Sequence, residues 1–214
     1  MIADARRIGP LVGAKVDEVL AGYAAAATPA LIARYDALPC EELYAPVLDL
    51  FPAAPARVAD IGAGTGRDAA WLAGQGHQVT AVEPVREFRE AGGRLHGGAF
   101  AWLDDRLPAL SGLRGEFDLL LLCGVWHHLD PAARARAMPR LSQLIAPAGR
   151  LILSLRHGPG HADRQAFPAP PEEALALARA AGLRLLRQAG AESVQEENRA
   201  NGVHWTWLAF CKPG

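Results

Sequence analysis

Val58-Ala59-Asp60-Ile61-Gly62-Ala63-Gly64-Thr65-Gly66 decides the reading of this chain. A short apolar run ends in an acidic residue, then three glycines alternate with small residues, and Arg67-Asp68-Ala69-Ala70-Trp71-Leu72 continues with helical spacing. Glycines suit a strand-to-helix turn that needs unusual dihedrals and must let a ligand reach the backbone without meeting a Cβ. The turn delivers the chain to a helix N-terminus, where free N–H groups and the positive end of the helix dipole favour an anionic group. The spacing is G-x-G-x-G. A dinucleotide fingerprint, G-x-G-x-x-G, would need its third glycine at position 67, which is Arg67.

Outward from this turn, short apolar runs alternate with helical patterns, the rhythm of βαβ units and a parallel sheet. The pattern predicts strands at Arg57–Ile61, Gln78–Val82, near Phe100–Leu103, at Phe117–Leu122, Leu151–Leu155, Leu183–Leu186 and Val203–Phe210. The uninterrupted run Phe117-Asp118-Leu119-Leu120-Leu121-Leu122 suits a central strand buried on both faces. Asp130-Pro131 opens a helix with a capping carboxylate and proline at its first position. Pro139 within it predicts a kink, and Pro147-Ala148-Gly149 is expected to close it. A Gly-, Pro- and His-rich loop is expected from Arg156 to about Pro170, and a further helix from Pro171 to near Gly182. Residues 1–56 read as an alanine-rich helical cap punctuated by Pro29, Pro39, Pro46 and Pro52, and residues 57–214 as the nucleotide-binding unit.

A second acidic anchor, Glu83 in Ala81-Val82-Glu83-Pro84, falls 23 positions after Asp60. That is about the interval of a ribose-binding carboxylate, whose two oxygens can accept from both ribose hydroxyls. Taken with Asp60, Glu83 and the glycine turn, Val58–Gly66 resembles the first motif of class I S-adenosylmethionine-dependent methyltransferases. Trp102-Leu103-Asp104-Asp105-Arg106-Leu107-Pro108, Phe117–Leu129 and Leu144–Leu151 are similar to later motifs of that family, in the right order. The resemblance spans roughly residues 57–155 and is closest to a bacterial subgroup of small chains.

The resemblance implies an α/β fold, a doubly wound and mostly parallel seven-stranded Rossmann-like sheet, with S-adenosyl-L-methionine as cofactor. It places Asp60 near the amino acid part of the cofactor and Gly62, Ala63, Gly64, Gly66 and Arg67 around it. Glu83 and Pro84 fall at the ribose, Asp104 or Asp105 at the adenine amino group, and Cys123 at the methionine portion. Which aspartate serves the adenine stays open, because the spacing to Leu107-Pro108 is short.

The acceptor side is less legible. Candidates are Tyr35 in the cap, Trp126 and His127 after the fourth strand, Arg156 and His157 at the loop, and Arg199 beside a glycine turn. His157 and His161 have loose metal-ligand spacing but no third ligand, so no metal is expected. Methyl transfer from a sulfonium needs alignment more than a catalytic triad, and a general base only for a protonated acceptor. The implied activity is methyl transfer to a small-molecule acceptor. A non-catalytic cofactor-binding protein of the same fold, or an NAD-dependent oxidoreductase, are the other readings.

Composition bounds the partners. In 214 residues with a net charge of −1 there is no basic field to concentrate nucleic acid. The widely spaced Cys40, Cys123 and Cys211 form no disulfide framework or zinc knuckle, as expected of a cytoplasmic protein. No apolar run approaches the roughly 20 residues that would span a bilayer.

Overall fold

The computed structural model describes residues 11–160 and 164–214, with side chains from residue 16. The chain opens with α1 (Leu11–Ala26), α2 (Pro29–Asp36) and α3 (Cys40–Tyr44). The cap's prolines act as helix starts: Pro29 follows Thr28, whose hydroxyl accepts from the Leu31 N–H, and Pro39 is the residue before α3. There follow β1 (Arg57–Ile61), α4 (Arg67–Gly74), β2 (Gln78–Val82), α5 (Arg86–His96), β3 (Ala101–Leu103), β4 (Phe117–Leu122) and a 3-10 turn at Trp126–His128. The chain continues with α6 (Pro131–Leu144), β5 (Ile145–His157), α7 (Pro171–Ala180), β6 (Arg184–Glu192), α8 (Glu196–Ala200) and β7 (His204–Cys211).

The seven strands form one sheet in the order β3-β2-β1-β4-β5-β7-β6. Every pair from β3 to β5 is parallel, while β7 runs antiparallel between β5 and β6. Strand order reverses between β1 and β4, so the crevice beyond their carboxyl ends is where an open α/β sheet receives a ligand. Leu119, Leu120, Leu121 and Leu122 of β4 are fully buried. Because successive strand side chains point to opposite faces, Leu120 and Leu122 pack toward α6 and α7. Leu119 and Leu121 pack with Tyr44, Leu72 and Trp207 on the other face.

Four details differ from the sequence expectation. The third strand begins at Ala101. The helix capped by Asp130, whose carboxylate accepts from the Ala133 N–H at 2.8 Å, runs through Pro139 and passes directly into β5 at Ile145. Pro147-Ala148-Gly149 therefore lies inside β5. The partner register jumps there from Phe117↔Ile145 to Leu119↔Arg150, and Ala148 takes φ 62° to absorb the extra residues. The sixth strand continues to Glu192, because the antiparallel ladder with β7 holds it to His204.

Two apolar contacts hold the cap against the body of the fold. Tyr44 and Val47 are fully buried beside β1 and α4, with Tyr44 stacked on Trp71 at 5.8 Å between ring centroids. Leu31 of α2 packs with Val85 and Phe88 at the start of α5, in a small apolar seam edged by Tyr23 and Tyr35. That seam carries two cap tyrosines to the edge of the crevice.

Candidate active site

Gly62 and Ala63 both donate to the Val82 carbonyl, at 2.7 and 3.1 Å, which fastens the glycine turn to the end of β2. Gly62 has φ +75°, and a Cβ there would lie 2.4 Å from Cγ2 of Val125. No other residue fits that crossing. Gly64, with φ +56°, faces open space, since a Cβ built on it meets nothing within 4 Å. The turn is thus closed against the protein at Gly62 and open to a ligand at Gly64.

Glu83 lies beside this opening, 5% exposed. Its Oε2 accepts from the Gly64 N–H at 2.8 Å and its Oε1 from the Val85 N–H at 2.7 Å. Burial raises its pKa to about 7, with the two N–H bonds opposing the shift. Each oxygen keeps a lone pair for a ligand hydroxyl. Asp60 sits behind the turn, buried, with Oδ2 unpartnered. Burial, followed by the neighbouring Asp68 charge, holds its carboxyl well above the usual range.

Asp68 is a functional residue that the sequence reading passed over. It is buried and accepts from Nε and Nη2 of Arg67 at 2.8 Å each, from the Tyr44 hydroxyl at 2.6 Å and from the Cys40 thiol at 3.3 Å. Arg67 Nη1 donates in addition to the Tyr35 carbonyl at 3.0 Å. Cys40 and Tyr44 are four apart on α3, so they present their donors from one helix face. Two helices, α3 and α4, meet at this carboxylate, and through Arg67 the contact extends to Tyr35 of α2, which fixes the turn against the cap.

The other wall is built after β4 and β5. His128 Nδ1 lies 2.8 Å from the Gln165 carbonyl, so it carries the proton, and Nε2 accepts from the Tyr23 hydroxyl at 2.7 Å. Burial depresses the His128 pKa to about 4 and takes that of His127 well below its usual value, so both imidazoles are neutral at pH 7. Beneath them Arg134, fully buried, donates to the carbonyls of Trp126, Phe167 and Pro168 and pairs with Glu173 at 2.7 Å. This guanidinium binds the histidine turn to the segment that covers it. Arg164 Nη1 donates to the Tyr35 hydroxyl at 3.0 Å, and its guanidinium lies 5.1 Å from the Tyr23 ring centroid.

One cavity of about 290 Å³ joins the two walls. Of the residues expected at the cofactor, Gly62, Ala63, Gly64, Arg67, Glu83, Pro84, Asp105 and Cys123 line it. Asp60 and Gly66 stand behind the turn, and Asp104 points away into an ion pair with Arg89 at 2.6 Å. The Asp105 carboxylate already accepts from the N–H groups of Arg106, Gly112 and Leu113. Of the acceptor-side candidates, Tyr35, His127 and Arg156 line the cavity. Trp126 is a buried core side chain, and Arg199 donates to the Ser193 carbonyl at 2.7 Å. His157 contacts Thr206 at 2.9 Å and stacks on His204, outside the cavity. Its possible metal partner His161 lies outside the described residues, and among the described residues no cluster of three metal-ligating side chains occurs. Tyr23, Phe88, His128, Arg164 and Trp205 line the cavity without having been singled out as site residues. Trp205 and Trp207 share a face of β7, with Trp207 in the core and Trp205, nearer the strand's start, half-buried at the cavity.

Residues 58–149 match the methyltransferase domain family. The structure superposes on a crystal structure of Burkholderia thailandensis 1,6-didemethyltoxoflavin-N1-methyltransferase with bound 1,6-didemethyltoxoflavin and S-adenosylhomocysteine. That likeness has a TM-score of 0.65 and 28% identity over 99% of this chain and 94% of that one. The chain is similar, over residues 58–149 in sequence and over nearly its whole length in fold, to S-adenosylmethionine-dependent methyltransferases. Among curated methyltransferases, an uncharacterized one of Mycobacterium tuberculosis (strain ATCC 25618 / H37Rv) is 34% identical over 114 residues, 49% of this chain and 41% of that protein. The ubiquinone biosynthesis O-methyltransferase of Xylella fastidiosa (strain M23) is 37% identical over 105 residues, 46% of this chain and 41% of that protein. The chain spans about two fifths of the length of these curated relatives. Among its described residues no single helix is long and apolar enough to cross a membrane.

Proposed function

We propose that this chain binds S-adenosylmethionine between the glycine turn and Glu83 and transfers its methyl group to a flat small molecule lodged against the tyrosine and histidine wall. The observation that carries the reading is the open face at Gly64 beside a buried Glu83, in the same cavity as Tyr23, Tyr35 and His128. The residues present fit the cofactor. Glu83 has lone pairs for two ribose hydroxyls, and the turn has room where a ligand backbone contact is needed. When bound, the sulfonium supplies a methyl group for in-line displacement and leaves as a neutral thioether.

The chain's own contribution is then alignment. Glu83 and the turn fix the donor, while the rings of Tyr23, Tyr35, Phe88 and Trp205 hold a planar acceptor and keep water out. Neutral His128 is held in one tautomer by the Gln165 carbonyl, and neutral His127 stands next to it with ring centroids 4.1 Å apart. The 1,6-didemethyltoxoflavin bound beside S-adenosylhomocysteine in the Burkholderia relative supports a small-molecule acceptor. The described residues from Val16 to 56 serve as a cap over this cavity, and the three free cysteines suit the cytoplasm. The near-zero net charge argues for a partner other than nucleic acid.

Thermal unfolding with and without S-adenosylhomocysteine tests the reading. At 100 times its dissociation constant a ligand stabilises by about 2.7 kcal/mol, so the midpoint should rise, and NAD should leave it unchanged. A rise with NAD alone would favour the oxidoreductase. Cofactor binding with no methyl transfer to any planar acceptor would favour a binding protein of the same fold.

A further inference from the structure

We infer that the acceptor is bound as an anion, a planar acid whose ionised atom receives the methyl group, held by Arg156 and Arg164. The inference rests on the methyltransferase reading above and names its substrate class. Five arginines line the cavity, and three are neutralised: Arg34 by Glu197 at 3.1 Å, Arg67 by Asp68 at 2.7 Å, and Arg106 by Asp17. Arg156 and Arg164 have no carboxylate within 4 Å among the described residues. Arg156 Nη1 donates to the backbone carbonyl of Pro159 at 2.6 Å. Arg164 is only 9% exposed, and its Nε is buried without a partner. A buried guanidinium is costly unless a counter-charge or hydrogen bonds compensate it. An anionic ligand removes that cost.

Among the described residues no other group compensates this charge. The carboxylates that line the cavity without an arginine partner are Glu83 and Asp105, and both accept backbone N–H bonds in the walls of the cofactor side. The two histidines beside the arginines are neutral, so the positive charge at this wall is the arginines' own. Burial lowers the Arg156 pKa, the Arg164 charge adding to the shift, and an anion at Arg156 would offset both. The lining rings of Tyr23, Tyr35, Phe88, His127 and Trp205 call for a flat body behind the charge.

The step balances without a base on the enzyme. The acid gives its proton to solvent as it ionises. The lone pair of the ionised atom forms the new bond to the methyl carbon, and the pair of the broken S–C bond stays on sulfur. One positive and one negative charge vanish together. The product is uncharged and loses its hold on the arginines, which favours release.

Chain saturated with S-adenosylhomocysteine is titrated with para-nitrophenol and lumazine, and with their uncharged methylated counterparts para-nitroanisole and dimethyllumazine. The acids should bind about tenfold or more tightly than their counterparts, as two charge-assisted contacts imply. Bound para-nitrophenol should show the phenolate absorption band at a pH below its own pKa. Arg156→Gln and Arg164→Gln should each lower acid binding about tenfold, Arg164→Lys should retain part of it, and S-adenosylhomocysteine affinity should stay unchanged. Absence of acid binding, or equal binding of acids and counterparts, overturns the inference. So does a loss of S-adenosylhomocysteine affinity in the arginine variants, which would assign the guanidiniums to the cofactor carboxylate. Failure of the unsubstituted chain to bind S-adenosylhomocysteine would instead overturn the methyltransferase reading.

Discussion

Nη1 of Arg164 donates to the hydroxyl of Tyr35 at 3.0 Å, which joins α2 to the segment after β5 across 129 positions of sequence. The same tyrosine's carbonyl accepts from Arg67 at 3.0 Å, so one residue of the cap touches both the glycine turn and the acceptor wall. Tyr35→Phe keeps the ring and the carbonyl and deletes only the acceptor of Arg164. It should lower stability by about 1 kcal/mol in urea unfolding. An unchanged midpoint would mean that the contact is not held in solution.

Arg134 carries a larger share. Replacing this fully buried guanidinium with Met removes its bonds to the carbonyls of Trp126, Phe167 and Pro168 and its pairing with Glu173. Removing one member of a buried ion pair costs about 3–5 kcal/mol, and Arg134→Met should approach that loss. Calorimetric unfolding would show it as a clear fall in Tm. A variant with unchanged Tm would show that the histidine turn is held without Arg134.

Glu83 should make cofactor binding depend on pH. Its folded-state pKa of about 7 lies above the ordinary glutamate value, so the folded protein holds a proton that the unfolded chain releases. By linkage, the group's contribution to stability is present in full below the ordinary value and is lost as pH rises through about 7. The ligated form has the opposite preference, because ribose hydroxyls donate to the ionised carboxylate. Affinity for S-adenosylhomocysteine should therefore rise with pH through about 7 and then level off, and Glu83→Gln should bind weakly and without that dependence. A flat affinity profile across the neutral range in the unsubstituted chain would contradict this role.

The cofactor side was legible in the sequence because its chemistry is local. A glycine turn, an acidic residue at the end of the next strand and an apolar central strand are patterns of near neighbours, and they recur as Gly62–Gly66 after β1, Glu83 after β2 and Leu119–Leu122 within β4. The acceptor wall is not local. Tyr23, His128 and Arg164 come from three distant segments, and each alone reads as a helix, loop or surface residue. Asp68 escaped notice because a carboxylate in the first turn of a helix is ordinary, and its donors Cys40 and Tyr44 arrive from the cap. His157 and Arg199 looked exposed to a ligand from their glycine-rich context. The β5–β7 register instead pairs His157 with His204, and the Ser193 carbonyl takes Arg199.

The most direct test of the account is calorimetric titration of S-adenosylhomocysteine into the unsubstituted chain, Glu83→Ala and Glu87→Ala. Glu87 lies one helical turn beyond Glu83, exposed on α5 and outside the cavity. Loss of bonds to two hydroxyls, at about 1.5–3 kcal/mol each, should weaken Glu83→Ala by tenfold or more, while Glu87→Ala binds as the unsubstituted chain does. No binding heat from the unsubstituted chain at millimolar ligand, or equal affinities in the two variants, would contradict the placement of the cofactor between Gly64 and Glu83.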